Sequence, residues 1–167
     1  PGRLTAEEFE VMKTHSMVGA NMLLDLPIEQ QEAPLVKVAS EICRWHHERY
    51  DGSGYPDGLK GEQIPIAAQV VALADVYDAL TSERCYKKAY SHKDALKMIL
   101  DGQCGAFNPT LLSCLQEIAD TLENELVDTP HAQETKQNRH IRNKIDYDRL
   151  FSYEKYAFLS CKQRHLQ

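Results

Sequence analysis

The sequence predicts an all-α fold, and three observations support this. Apolar residues recur with helical spacing in nearly every segment, and no stretch shows the strict alternation and turn residues of a β-hairpin. Helix-start signals also recur along the chain. The 167 residues are 43% hydrophobic and 26% charged, which is typical of a globular domain with one core of ordinary size.

The start signals place the helices in order. Thr5 with Glu8, and Ser91 with Asp94, have the spacing of capping boxes, and Asn108 followed by a proline combines an N-cap with the residue favoured at the first helical position. Apolar periodicity extends each helix to its next break. The predicted helices cover residues 5–24, 34–47, 65–82, 91–100 and 108–126.

Composition changes near residue 127. We therefore expect a helical domain over residues 1–126 and a polar linker over 127–145, because the latter has too few apolar residues to form a core. Residues 146–167 regain aromatic side chains. This last segment forms either a C-terminal helix that docks on the domain or the start of a further segment.

Charge and cysteine usage exclude several classes of protein. The net charge is −6, which does not favour non-specific binding to nucleic acid or to an anionic membrane. No apolar run reaches the roughly 18 residues of a bilayer span, and the N-terminal stretch lacks the apolar segment of a signal peptide. Five scattered cysteines with no C-x-x-C pair indicate reduced thiols. We therefore expect a cytoplasmic protein.

The stretch "HHERYDGSGYPDG", residues 46–58, contains the first functional signal. His46 lies at the centre of the apolar stripe of the second predicted helix, and His47 lies near its edge. A buried imidazole needs a polar partner, and for one histidine alone a backbone group is the ordinary partner. Two adjacent histidines make a metal ion a second possibility. The stripe consists of Leu35, Val38, Ala39 and Ile42.

A carboxylate in the third predicted helix adds to this signal. Residues 66–80 are apolar apart from three positions, so we expect a helix buried on all sides, in which Asp75 needs a partner. That partner is a cation, a neighbouring helix or Arg84. His15 carries little weight alone. Together with His46 and His47 these residues predict a metal site, whose ligands suit iron, manganese or zinc.

Four segments follow one another with the order and spacing of HD-GYP domains. They are "MKTHSMVGANML", "HHERYDGSGYPDGLKGEQIP", "ALADVYDALTSERCYKKAY" and "GAFNPTLL". Over residues 1–126 the chain thus resembles these bacterial metal-dependent phosphodiesterases, a branch of the HD phosphohydrolases. The resemblance implies an HD-type helical bundle and two or three divalent metal ions, most often iron or manganese. It also implies hydrolysis of cyclic di-GMP to the linear dinucleotide or GMP.

The resemblance also assigns roles to residues. The loop signature is Gly54, Tyr55 and Pro56, whose glycine allows close backbone approach and whose tyrosine is expected to wall the substrate pocket. The family's metal ligands match His15, His46, His47 and Asp75, and its substrate-phosphate contacts match Arg84 and Lys87. An arginine can fork two donors onto a phosphodiester. The alternative for Arg84 and Lys87 is a pair of cations opposing a helix dipole.

Two departures from the family pattern stand out. The His-Asp pair that gives the family its name is absent from these 167 residues, and in the family it lies upstream of the segment "PGRLTAEEFE". We therefore expect an N-terminally truncated domain whose metal site is incomplete by itself. Asn108 stands where the family usually has aspartate, and asparagine caps a helix equally well.

Two other functions remain open from sequence. One is hydrolysis of another nucleotide by an HD-type enzyme, against which the glycine-tyrosine-proline loop argues. The other is a truncated or degenerate module that binds cyclic di-GMP or a protein without catalysis. The resemblance implies a receiver or sensory domain upstream. Its expected partners are cyclic di-GMP, a diguanylate cyclase or other signalling domains, and a second copy of the chain.

Overall fold

The computed structural model describes residues 4–83 and 88–128, and in these ranges the chain is helical with no strand. The predicted all-α class is therefore confirmed. The described helices are α1 (Ala6–Leu24), α2 (Ile28–Gln31), α3 (Pro34–Trp45), α4 (Ile66–Thr81), α5 (His92–Leu100), α6 (Pro109–Glu117) and α7 (Ala119–Asp128), with a 3-10 turn at Gly61–Gln63.

Two predicted helix starts are confirmed in detail. The Thr5 hydroxyl accepts the amide of Glu8 at 3.2 Å, and the Glu8 carboxylate accepts the amide of Thr5 at 2.8 Å. Asn108 accepts the amide of Thr110 at 2.9 Å at the start of α6. These bonds satisfy amides that the helices themselves leave without partners.

Two other predictions of helix geometry need correction. Ser91 accepts the amide of Asp94 at 3.2 Å, but the Asp94 carboxylate accepts the Ser91 hydroxyl at 2.7 Å, so only half of the capping box forms. Aspartate is one methylene shorter than the glutamate of a complete box. The helix predicted over 108–126 is two helices, because α6 ends at a C-cap on Ile118.

Packing of neighbouring helices brings the site together. α1 packs against α3, α3 against α4, and α4 against α5. The buried positions of α1 are Met12, Ser16 and Ala20, which share one face at a spacing of four residues. The main core lies between α4, α5 and α6. It consists of Ala72, Leu73, Tyr77, Leu80, Ala95, Ile99, Cys104, Phe107 and Leu115.

One predicted burial pattern is wrong for the described residues, namely that of α4, and the apolar stripe of α3 is exposed in part. Leu35 in the apolar stripe of α3 is 80% exposed, and Val38 is also exposed. α4 is not buried on all sides, because Ile66 and Val70 are exposed along one face. Periodicity identifies an apolar face, but burial also needs a neighbouring element, which the described part of the chain does not place over these side chains.

Two sequence expectations concern the chain ends. The predicted linker, 127–145, lies outside the described residues apart from its first two positions, which end α7, and the predicted C-terminal segment, 146–167, lies wholly outside them. Among the residues that are described, no helix combines the length and apolar character needed to cross a bilayer.

Candidate metal centre

Three histidines from two helices converge at one place. His15 lies on α1, His46 caps the C-terminus of α3, and His47 follows it. The Nε2 atom of His15 is 3.4 Å from Nε2 of His46 and 3.1 Å from Nε2 of His47. One ring nitrogen from each residue lies within 4.8 Å of the others. The structure thus brings together three of the four predicted metal ligands.

The helix backbone fixes the tautomer of two of these rings. His15 Nδ1 donates to the carbonyl of Met12 at 2.9 Å, and His46 Nδ1 donates to the carbonyl of Ile42 at 2.8 Å. A carbonyl only accepts, so Nδ1 carries a proton in both rings, and the Nε2 atom is the one that a neutral ring offers to a metal ion. Metal-binding histidines are commonly held in this way. The arrangement therefore fits a divalent cation.

The charge state of the His15 and His47 rings also favours metal binding. The pKa of His15 is lowered, mainly because burial disfavours the protonated ring. Burial also lowers the pKa of His47 strongly, and the neighbouring His46 and His15 lower it further. Both imidazoles are therefore neutral near pH 7, which is the form that binds a metal ion.

Asp75 lies beside this cluster, but outside the group of nitrogens within 4.8 Å. Burial raises the pKa of its carboxyl group, while positive charge on His46 would lower it and Asp78 raises it. Asp75 is close enough to His46 and His15 for charge on either ring to lower the pKa of its carboxyl group. Asp75 is therefore not among the residues that this structure brings within 4.8 Å of one another.

The glycine-tyrosine-proline loop folds back onto the end of α3. The Tyr55 amide donates to the carbonyl of His47 at 3.3 Å, and the two rings stack with centroids 4.7 Å apart. A Cβ added to Gly54 would lie 2.6 Å from the carbonyl carbon of Glu48 and closer still to Arg49 N. The expected close backbone approach is thus present at Gly54. The Tyr55–Pro56 peptide bond is cis.

Glu48, the residue after the two histidines, was not predicted as a functional residue from the sequence. It is 2% exposed, and its Oε1 atom accepts the amides of Asp57 at 2.8 Å and Gly58 at 3.0 Å. Its Oε2 atom is buried without a hydrogen-bond partner among the described residues. Burial raises the pKa of the carboxyl group. The available signal was a charged residue at the junction between the histidines and a glycine-rich loop.

The loop is also held at its outer side. The Asp57 carboxylate accepts Arg44 Nε at 2.7 Å, Arg44 Nη2 at 3.1 Å and Trp45 Nε1 at 2.7 Å. The hydrogen bond from Arg44 is the main cause of a lowered pKa for Asp57. Trp45 is the chain's single tryptophan, so its fluorescence can report how the loop is docked.

A small polar network lies behind the loop. Asn108 Nδ2 donates to Gln69 Oε1 at 2.9 Å, and Gln69 Nε2 donates to the carbonyl of Ile64 at 2.7 Å. A cavity of about 10 Å³ is bordered by these two amides and by Glu48. This is about the space of one water molecule.

The predicted phosphate contacts, Arg84 and Lys87, fall within 84–87 and lie outside the described residues. Their roles stay predictions. The loop residues Gly54, Tyr55 and Pro56 are described and adjoin the histidine cluster.

Histidines that converge from packed helices beside a tight glycine loop define a helical metal-binding domain. Residues 1–111 match the HD domain family, and the chain belongs to that family, whose members bind divalent metal ions. The glycine-tyrosine-proline loop beside the histidines makes it a domain of the HD-GYP type.

Curated relatives share this domain. The chain is 45% identical over 118 residues to a probable cyclic di-GMP phosphodiesterase of Vibrio cholerae, covering 67% of this chain and 26% of that protein. It is 44% identical over 115 residues to the cyclic di-GMP phosphodiesterase response regulator RpfG of Xanthomonas campestris, covering 69% and 29%. It is 37% identical over 117 residues to the 3'3'-cGAMP-specific phosphodiesterase 2 of Vibrio cholerae, covering 70% and 22%. The chain thus spans about a quarter of the length of these relatives.

Proposed function

We propose that this domain hydrolyses cyclic di-GMP as a metal-dependent phosphodiesterase. The observation that carries the proposal is the cluster of three histidine nitrogens within 4.8 Å, next to the ring of Tyr55. Relatives at 45% and 44% identity are named for this activity. The products are the linear dinucleotide and, after a second cleavage, GMP.

The histidines are the proposed ligands of this centre. His15 and His46 direct Nε2 inward because their Nδ1 atoms are bonded to helix carbonyls, and His47 completes the set. Asp75 is the proposed carboxylate ligand. We propose two or three ions, with iron or manganese favoured by nitrogen and oxygen ligands without thiolates. Divalent ions in such sites make water a better nucleophile near neutral pH and stabilise charge on phosphoryl oxygens.

The remaining proposed roles concern the substrate. Arg84 and Lys87 neutralise the phosphate oxygens that do not react, since charge-assisted hydrogen bonds to phosphate are strong. Tyr55 forms one wall of the pocket, because its ring lies over His47. Substrate bound against this wall is held close to the histidine cluster.

The cellular setting is a further part of the proposal. One relative is named as a response regulator, which supports a cytoplasmic signalling protein with a receiver or sensory domain. The proposed protein partners are a diguanylate cyclase, another signalling domain or a second copy of the chain. Cyclic di-GMP is the proposed small-molecule partner.

A second candidate substrate is 3'3'-cGAMP. A relative at 37% identity is named as specific for it. Both compounds present two 3'–5' phosphodiester bonds, so the proposed chemistry is shared and the choice depends on how the bases are recognised.

Hydrolysis assays test the proposal. The protein, expressed from its complete gene and loaded with Mn²⁺ or Fe²⁺, is incubated with each cyclic dinucleotide, and products are separated by chromatography. We expect turnover of cyclic di-GMP and a loss of at least about 100-fold in His46→Ala, since ligand groups act as a unit. His92→Ala is the matched control, because His92 lies on α5 and bonds to Tyr77. Tight binding of cyclic di-GMP without turnover would contradict catalysis and support the binding-module alternative.

A further inference from the structure

We infer that Glu48 is a positioning residue, which holds the glycine-tyrosine-proline loop so that the Tyr55 ring orients the imidazole of His47. This inference extends the proposed function, since it names how one proposed ligand is kept in place. Three observations support it: the Glu48 side chain is buried, it accepts hydrogen bonds from loop amides, and the His47 ring lacks the carbonyl partner that the His15 and His46 rings have within the described residues.

Glu48 is a buried carboxylate at the end of α3. The side chain is 2% exposed, and burying a carboxyl group is unfavourable unless hydrogen bonds compensate. Its Oε1 atom accepts hydrogen bonds from the loop, donated by the amides of Asp57 and Gly58. The single atom Oε1 thus accepts two consecutive amides, which lie nine and ten residues further along the chain.

The chain before these two amides also contacts the end of α3. The Tyr55 amide bonds to the carbonyl of His47, one residue before Glu48. Gly54 lies directly on the backbone of Glu48, where a Cβ would overlap its carbonyl carbon. Residues 54–58 therefore pack against residues 47–49. This contact leaves the Tyr55 ring over His47, with an interplanar angle of 28°.

His47 differs from the other two histidines in how its ring is held. His15 and His46 each donate Nδ1 to a carbonyl of their own helix. For His47, the structure shows a ring-nitrogen contact to His15 but no carbonyl partner within the described residues. Metal ligands that lack such support lose orientation and affinity. The stacked Tyr55 ring supplies that support, and the loop that carries Tyr55 is fastened by Glu48.

The test compares Glu48→Ala with Glu48→Gln, which keeps an acceptor oxygen for the two amides. Glu29→Ala is the control, since Glu29 is an exposed glutamate on α2. The measurements are Mn²⁺ affinity by calorimetry and Trp45 emission. We expect Glu48→Ala to weaken Mn²⁺ binding by roughly 10–100-fold and to change the Trp45 emission maximum, because Asp57 leaves the indole. Glu48→Gln should remain within about 3-fold of the wild type.

A double-mutant cycle separates positioning from general destabilisation. If Glu48 acts through Tyr55, Glu48→Ala combined with Tyr55→Ala should weaken Mn²⁺ binding no more than the worse single variant, since residues in one pathway are not additive. The same pattern is expected in kcat for cyclic di-GMP. Losses that multiply, native affinity in Glu48→Ala, or equal damage from Glu48→Gln would each overturn the inference.

The readouts also separate this inference from the proposed function. Mn²⁺ affinity and Trp45 emission need no substrate. If the wild-type protein hydrolyses no cyclic dinucleotide, the proposed function fails, while these two measurements still decide whether Glu48 positions the loop and His47.

Discussion

Replacing Gly54 by alanine should disrupt the candidate site through one methyl group. The atoms that the new Cβ would meet are backbone atoms of Glu48 and Arg49, with 2.6 Å to the Glu48 carbonyl carbon. Gly54 does not have a positive φ, so alanine is compatible with its backbone conformation. The expected effect is therefore steric, and no flexible side chain can move aside to reduce it.

The magnitude follows from the shift that is needed. Carbon atoms prefer a separation of roughly 3.5–4.0 Å, so the loop must move by about 1 Å. A movement of that size would break or weaken the bonds of 2.8 and 3.0 Å to Glu48 Oε1. Overpacking costs about 1–3 kcal/mol, and losing a bond to a charged group adds about 1.5–3 kcal/mol. We expect a total of roughly 3–5 kcal/mol, a large part of an ordinary domain's stability.

Thermal unfolding, Trp45 emission and Mn²⁺ affinity together provide the assay. The matched control is Gly61→Ala, since Gly61 has a φ of 58° but has nothing within 4 Å of an added Cβ. That control should lose about 1–2 kcal/mol through its backbone conformation and keep native emission and Mn²⁺ affinity. Gly54→Ala should lose more stability and change both other signals. If Gly54→Ala matches the control in all three, the steric reasoning is refuted.

Three further predictions test other parts of the site. In the metal-free protein, burial lowers the pKa of His15 and His47, so at these residues the unfolded state binds more protons below about pH 6.5, and their contribution to the free energy of unfolding falls from pH 7 to pH 5. The raised pKa values of Glu48 and Asp75 act in the opposite direction, so the contribution is isolated in urea titrations by comparing His47→Gln with the wild type, and an identical change between pH 7 and pH 5 in both proteins would contradict it. Arg84→Ala should reduce cyclic di-GMP hydrolysis severely and leave metal content unchanged, whereas loss of metal would indicate a structural role. Asn108→Asp keeps the helix cap but removes the donor to Gln69, so urea unfolding should show a loss of about 1 kcal/mol, and unchanged stability would argue against that hydrogen bond.

The sequence predicted the helical class and the inward position of the histidines, because both depend on local periodicity. Three histidines on α1 and at the end of α3 meet as expected, since α1 packs against α3. The exposure of Leu35 was not predictable in this way, because it depends on which element lies above α3. The break at Ile118 carries no glycine or proline signal. The local sequence pattern therefore does not predict which elements pack together or where a helix breaks without glycine or proline.

The role of Glu48 was hidden for a related reason. A glutamate that follows a helix is usually a solvated residue, and nothing local shows that a loop nine residues later folds back onto it. The relevant partners, the amides of Asp57 and Gly58, are backbone groups, so they leave no trace in residue type. Only the density of glycines around Tyr55 indicates that backbone must approach backbone closely.

The position of the two adjacent histidines at a helix end has a geometric cause. Neighbouring residues within an α-helix point about 100° apart, so two adjacent rings inside a helix diverge and do not readily share one ion. Here α3 ends at Trp45, His46 is the C-cap and His47 lies beyond it, and their ring centroids are 4.0 Å apart. His46 Nδ1 also lies 3.1 Å from the carbonyl of Cys43, which is the carbonyl that a helical His47 would use at i−4. Leaving the helix lets His47 converge with its neighbour but removes its helical support, and the contorted loop beside it replaces that support.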